Sequence, residues 1–189
     1  MAAVTAPGRR YAYVGPPELR RTVVDGAGGR VIRSAADLEG EPERDGGTAA
    51  DDGGEPFTHV VGRDGLLRLA PRRSEHVACA EGQDVLGAGE ISFRRTPGGP
   101  QVHEVSNQST GYRPDPDSWP TVAAALDRAG IARPDGFTHA LVFRRCEGRG
   151  EHNVVREAVC VFRDDDLPPD WNMAASRQPQ PHGVPRISA

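Results

Sequence analysis

Lysine is missing from this chain: all 23 of its Lys+Arg residues are arginine. A chain without side-chain primary amines cannot form a Schiff base, anchor PLP, or supply the lysine of a P-loop or of a kinase strand. A GC-rich genome favours Arg, Ala, Gly and Pro codons together, so the arginine content is not itself a nucleic-acid signal. Aromatics are scarce at 5% and hydrophobic residues reach only 37%, which limits the core. No apolar run approaches the roughly 18–20 residues that cross a bilayer, so no membrane partner is expected. The opening MAAVTAPGRRYAYVG lacks the apolar stretch of a signal peptide. The three cysteines are an odd number without framework spacing, which suits a reducing cytoplasm. The net charge of −4 argues against a dedicated nucleic-acid binder, which normally carries a basic excess.

Glycine and proline are plentiful, at 23 and 17 in 189 residues. The length suits one domain of roughly 100–150 residues with loops and tails. Residues 1–39 read as a small α/β lead-in: a strand at YAYV, a proline-initiated helical turn at PPELRRTVV, a strand at RVIR, and a turn at SAADLEG capped by Ser34. Residues 40–56, GEPERDGGTAADDGGEP, hold almost nothing apolar and read as an acidic flexible linker. The main domain is expected over 57–172. FTHVV and LLRLA flank a turn with an Asp-Gly step, AGEISFRR and QVHEVS flank PGG, and HVACA is a short apolar segment. A helix is expected at Trp119–Ala129, capped by Ser118 and ended by Gly130, with Trp119, Val122, Leu126 and Ala129 at helical spacing. Strands at 137–145 and 153–162 close the domain, and 173–189 reads as a disordered tail.

Cys146 and Cys160 each begin a knuckle-like step, but Arg149 and Arg163 stand where a Cys-x-x-Cys pair has its second sulfur. Structural zinc needs four ligands, and His152 offers at most a third. The segment 143–165 is therefore an emptied ribbon or simply carries two ordinary thiols, and no metal site is expected.

The densest polar patch lies between a strand and a helix: Ser106, Asn107, Gln108, Ser109, Thr110, Tyr112 and Arg113. Such loops often bind ligands, and hydroxyls, amides, a phenol and a guanidinium suit a polar molecule or a peptide. The same side chains can instead satisfy the turn's own backbone. Glu90 is either an acid–base group or the solvent-facing neighbour of Ile91 in an alternating strand. Cys79, with His76 nearby, invites a nucleophile reading, against which stands its apolar setting. Cys79-Ala80-Glu81 echoes the cytidine-deaminase step, but no Pro-Cys-x-x-Cys follows. His103 and Glu104 are neighbours on a strand, so at most one of them can face a core. Gly87 and Gly89 precede a strand and do not form a phosphate loop.

LRLAPRRSEHVACA, GAGEISF, EVSNQSTGY, SWPTVAAALDRAGI and the LPPDWN ending resemble an uncharacterised actinobacterial cytoplasmic family over most of 11–172. A looser similarity connects the AGE step, the Ser/Asn-rich turn, Tyr and Pro to domains of polymorphic-toxin-associated proteins. The resemblance implies a C-terminal ribbon with complete knuckles in other members, with Arg149 and Arg163 at their second cysteines and Arg113 at a further cysteine position. It carries no known activity.

These residues point to an α+β fold: a mostly antiparallel sheet of hairpins with one main helix. The expected function is a non-enzymatic cytoplasmic binding module without cofactor. Its ligand or protein partner would contact Glu90, Ser106, Asn107, Ser109, Tyr112 and Arg113. The alternatives are a hydrolase or transferase in which His76, Glu90 or His103 joins the Ser/Asn loop, and a degenerate zinc-ribbon nucleic-acid adaptor.

Overall fold

A computed structural model describes residues 8–38, 55–109, 111–147, 150, 152–154 and 166–173. In chain order come α1 (Pro17–Arg21), β1 (Arg30–Ile32), β2 (Phe57–Val61), β3 (Leu67–Ala70), α2 (His76–Cys79), β4 (Gly87–Thr96), β5 (Gly99–Val105), α3 (Trp119–Arg128), β6 (Phe143–Arg145) and β7 (His152–Val154). Five strands form one antiparallel sheet in the order β1-β3-β2-β4-β5, and β6 pairs with β7 apart from it. The fold is α+β.

The sheet buries both faces. Because side chains alternate along a strand, Val61, Leu67, Leu69, Ile91 and Phe93 share one core with α3, to which Ile32 and Leu38 belong. Val60 and Ala88 share the other with Tyr11, Tyr13, Val77, Cys79 and Tyr112. That is why Thr58, His59, Val60 and Val61 are all buried instead of alternating with exposed positions. The lead-in and the region from Phe57 thus share one sheet: β1 pairs with β3, Val31 opposite Arg68. No helix among the described residues is long and apolar enough to cross a membrane.

Helix α3 ends as expected. Gly130, at φ +68, lets its N–H reach Asp127 O and the next N–H, of Ile131, reach Leu126 O. This closes the helix in a Schellman motif. The start differs from expectation. A 3-10 turn at Pro116–Ser118 precedes α3, so Ser118 is already helical and its hydroxyl donates to Asp115 O. The cap moves to Asp115, whose carboxylate accepts from Asp117 N. Ser34 is corrected in the same way. The Asp37 carboxylate accepts from the N–H groups of Arg33 and Ser34 and from the Ser34 hydroxyl, a charged acceptor replacing a neutral one.

Other expectations change where side chains replace the ladder. Tyr11 makes one bridge, with Val85, in place of a strand, and HVACA contains a helix. The strand expected over 137–145 is regular only at Phe143–Arg145, because Thr138 and Asn107 side chains take up backbone groups in between. Of 153–162, residues 155–162 lie outside the described residues, as do the linker over 40–54 and the tail over 174–189.

His59 is fully buried on β2, and neither ring nitrogen makes a hydrogen bond with a described residue. Burial, aided by the nearby His76 and opposed by the Gly89 carbonyl, pulls its pKa from 6.5 to about 3. The unfolded imidazole therefore takes a proton that the folded one refuses. The stability from this group is complete above the unfolded value and is lost progressively as pH falls from there towards the folded value. Between pH 7.5 and 5.5 the loss is on the order of 1 kcal/mol. Urea denaturation at the two pH values should show it, and His59→Leu should flatten it; an equal loss in the variant would assign the acid sensitivity elsewhere.

Candidate functional site

The polar loop after β5 is built around a close approach. A Cβ at Gly89 would lie 2.0 Å from the Ser106 carbonyl oxygen and 3.0 Å from Asn107 Cα. Only glycine lets the chain cross the sheet there. The crossing removes Asn107 from solvent entirely, and a buried amide must find partners. Asn107 Nδ2 donates to Pro114 O at 2.8 Å and to Leu141 O at 2.7 Å, while Oδ1 accepts from Leu141 N at 2.7 Å. One side chain thereby closes the loop and replaces a strand pairing at Leu141.

Its neighbours are engaged in the same way. Ser109 Oγ accepts from Tyr112 N. The Tyr112 hydroxyl donates to Gln83 O at 2.7 Å, its ring lies edge-on to Tyr13, and burial pushes its pKa up. Ser106 Oγ accepts from the N–H groups of Glu90 and Gln108. Arg113 sits at φ +50, and its carbonyl accepts from Trp171 Nε1. Asn107, Ser109 and Tyr112, expected at a ligand surface, are buried and bonded within the protein. Thr110 lies outside the described residues.

A second clasp holds the C-terminal segment. Arg144 pairs with Asp115 at 3.0 Å, with both side chains largely buried, and also donates to the carbonyls of Pro168 and Pro169. The Asn172 amide brackets the Arg145 backbone with two bonds of 2.7 Å. Trp171 lies edge-on to Tyr11 and under Arg9.

The candidate catalytic groups gather only in part: Glu90 N donates to Ser106 Oγ, and the Glu90 carboxylate acts electrostatically on His76. His76 Nε2 meets Gly89 O at 3.0 Å, and burial lowers its pKa. His103 and Glu104 are both exposed. The register shift opposite Ser92 and Phe93 makes His103 the extra residue of a bulge, so neither side chain faces a core. The Cys79 thiol is buried, and its pKa is pushed up to about 12, which keeps it a thiol at neutral pH. Cys146 is buried beside Leu167. Arg149, Cys160 and Arg163 lie outside the described residues, so the ribbon expected over 143–165 is described only in its β6–β7 part. Among the described residues no three His, Cys, Asp or Glu side chains converge to hold a metal ion.

Two cavities remain. The larger, about 660 Å³, opens between the β2–β3 turn, the segment before β4 and one side of α3. Arg10, Arg63, Arg68 and Arg128 line it beside Asp64, Glu81 and Asp84, over a floor that includes Val60, Val85 and Leu86. Arg68 is held by Asp64 through bonds of 2.9 and 2.8 Å, which pull the Asp64 pKa down to about 2. Glu81 is turned away to Gly26 N, and Arg128 donates to Gly65 O. Arg10 and Arg63 are exposed and make no hydrogen bond or ion pair with a described residue. The smaller cavity, about 210 Å³, contains Glu90, Ser92, Glu104, Ser106, Gln108 and His139 in its wall.

Comparison of the chain with protein-family models, curated proteins and solved structures finds no match.

Sequence reasoning missed the arginine-lined cleft because Arg10, Arg63 and Arg128 come from three distant segments. The hairpin turn at Asp64-Gly65 was its only local trace. Of the expected ligand residues, only Glu90 and Ser106 line a cavity.

Asn107→Ala removes three hydrogen bonds and leaves buried backbone groups unpaired, so it should cost about 2–4 kcal/mol in urea denaturation. Gln108→Ala, at an exposed neighbour, should stay within about 0.5 kcal/mol. Equal effects would show that the clamp does not hold the loop.

Proposed function

We propose that this chain is a binding module of the cytoplasm whose ligand is a small molecule bearing two or more anionic groups, taken in the arginine-lined cleft. The observation that carries this reading is the pair Arg10 and Arg63. Both are exposed on the cavity of about 660 Å³ and have no partner among the described residues. Guanidinium groups recognise phosphate and carboxylate through paired N–H donors. Arg68 is neutralised by Asp64, so the remaining positive charge lies with Arg10, Arg63 and the partly engaged Arg128, against Asp84 and Glu81, whose bond from Gly26 N leaves its charge in place. A volume of about 660 Å³ suits a metabolite-sized ligand.

Binding is favoured over catalysis because His76 and His103 line neither cavity and Cys79 is an inert thiol. The free thiols of Cys79 and Cys146 fit a reducing compartment. The acidic net charge of −4 disfavours a nucleic-acid partner.

Isothermal titration with inorganic pyrophosphate and with citrate tests the reading. At least one probe should bind saturably at millimolar concentration or below and weaken between about 0.05 and 0.3 M salt. The double variant Arg10→Ala, Arg63→Ala should remain folded and bind about tenfold more weakly or worse. Failure of both probes to saturate, or unchanged binding by the variant, would overturn it.

A further inference from the structure

The smaller cavity lies on the other side of the β4 strand end, and its chemistry is the reverse. Two carboxylates, Glu90 and Glu104, stand in its wall, and Ser92 lies between them. The register explains the placement. Ser92 is opposite Glu104 and Glu90 is opposite Ser106, so all four side chains share one side of the β4–β5 ladder. The bulge at His103 keeps Glu104 on that side and out in solvent.

Ser92 supplies the independent observation. The residue is 4% exposed, and its hydroxyl has no hydrogen-bond partner among the described residues. A buried hydroxyl left unmatched costs stability, and here the unmatched group belongs to the wall of a cavity that also holds two carboxylates. Ser106 is not equivalent, since its oxygen already accepts from Glu90 N and Gln108 N. The described His, Cys, Asp and Glu side chains give no set of three for a metal ion.

We propose that this cavity binds the ammonium group of a small organic amine. An ammonium has three N–H donors and no acceptor. The wall offers it three acceptors: the carboxylates of Glu90 and Glu104 and the Ser92 hydroxyl. The Gln108 amide and the apolar Leu141 are left for the carbon chain. A cavity of about 210 Å³ holds a molecule of a few carbons, given roughly 30 Å³ for each displaced water. The site is separate from the arginine-lined cleft and opposite in charge, so either can fail without the other.

Putrescine, titrated into the purified full chain, is the probe, with 1,4-butanediol as its uncharged counterpart. Putrescine should bind saturably and butanediol should not. Glu104→Gln, at an exposed position, should weaken putrescine binding about tenfold. Glu18→Gln, at an exposed acidic residue on α1, should leave it unchanged. Ser92→Ala should weaken binding while leaving the thermal midpoint unchanged or raised, because it removes an unmatched hydroxyl. The proposal is overturned if putrescine does not saturate by about 10 mM, if butanediol binds equally, or if Glu104→Gln and Glu18→Gln weaken binding to the same extent.

Discussion

Everything around the sheet depends on the chain passing over Gly89. A side chain there would collide with the Ser106 carbonyl at 2.0 Å, so the crossing needs glycine and places Asn107 beneath it with no access to water. From that point the amide is obliged to bond, and its partners are the backbone of Pro114 and Leu141. The loop that leads into α3 and the segment that leads into β6 are both set by one side chain. Three hydrogen bonds in a dry site are costly to leave unmade, which is why a single residue can position so much chain.

The same economy recurs at Asn172, which brackets Arg145, and at the Asp115–Arg144 pair, which ties the start of α3 to Pro168 and Pro169. With aromatics at 5%, the protein leans on polar fasteners wherever it lacks regular pairing. The few rings form two groups: Tyr11, Tyr13, Tyr112 and Trp171 on one side of the sheet, and Phe57, Phe93, Trp119 and Phe137 with the other core. Polar groups used in this way are not free for ligands. Other polar groups stay at cavity walls: four arginines beside three acidic residues in one, and Glu90 and Glu104 in the other.

Local rules made much of the architecture legible. The turns at Asp64-Gly65 and Gly98-Gly99 set two hairpins, with Gly65 at φ +71 and Gly99 at φ +108, and the apolar spacing of α3 with Gly130 set the helix and its end. Caps were less legible. Ser118 and Ser34 lose their expected roles to Asp115 and Asp37, since a nearby carboxylate outcompetes a hydroxyl for N–H groups. The polar loop allowed two readings, a ligand surface or self-satisfaction; Asn107, Ser109 and Tyr112 are buried and bonded internally, while Ser106 and Gln108 reach a cavity wall. Glu90 and Ser106 were identified as candidates from the sequence, but Ser92 and Glu104 became their companions only through strand register.

Residue order alone determined the class of fold, the hairpins, the main helix and the exclusion of lysine chemistry, because each follows from spacing, backbone preference or the lack of an amine. Tertiary structure decided which polar side chains are spent and which remain. That depends on burial and on encounters between segments far apart in the chain, such as Asn107 with Leu141 or Arg10 with Arg63 across one cleft. No local pattern encodes such meetings, since they arise only when both faces of the sheet are covered.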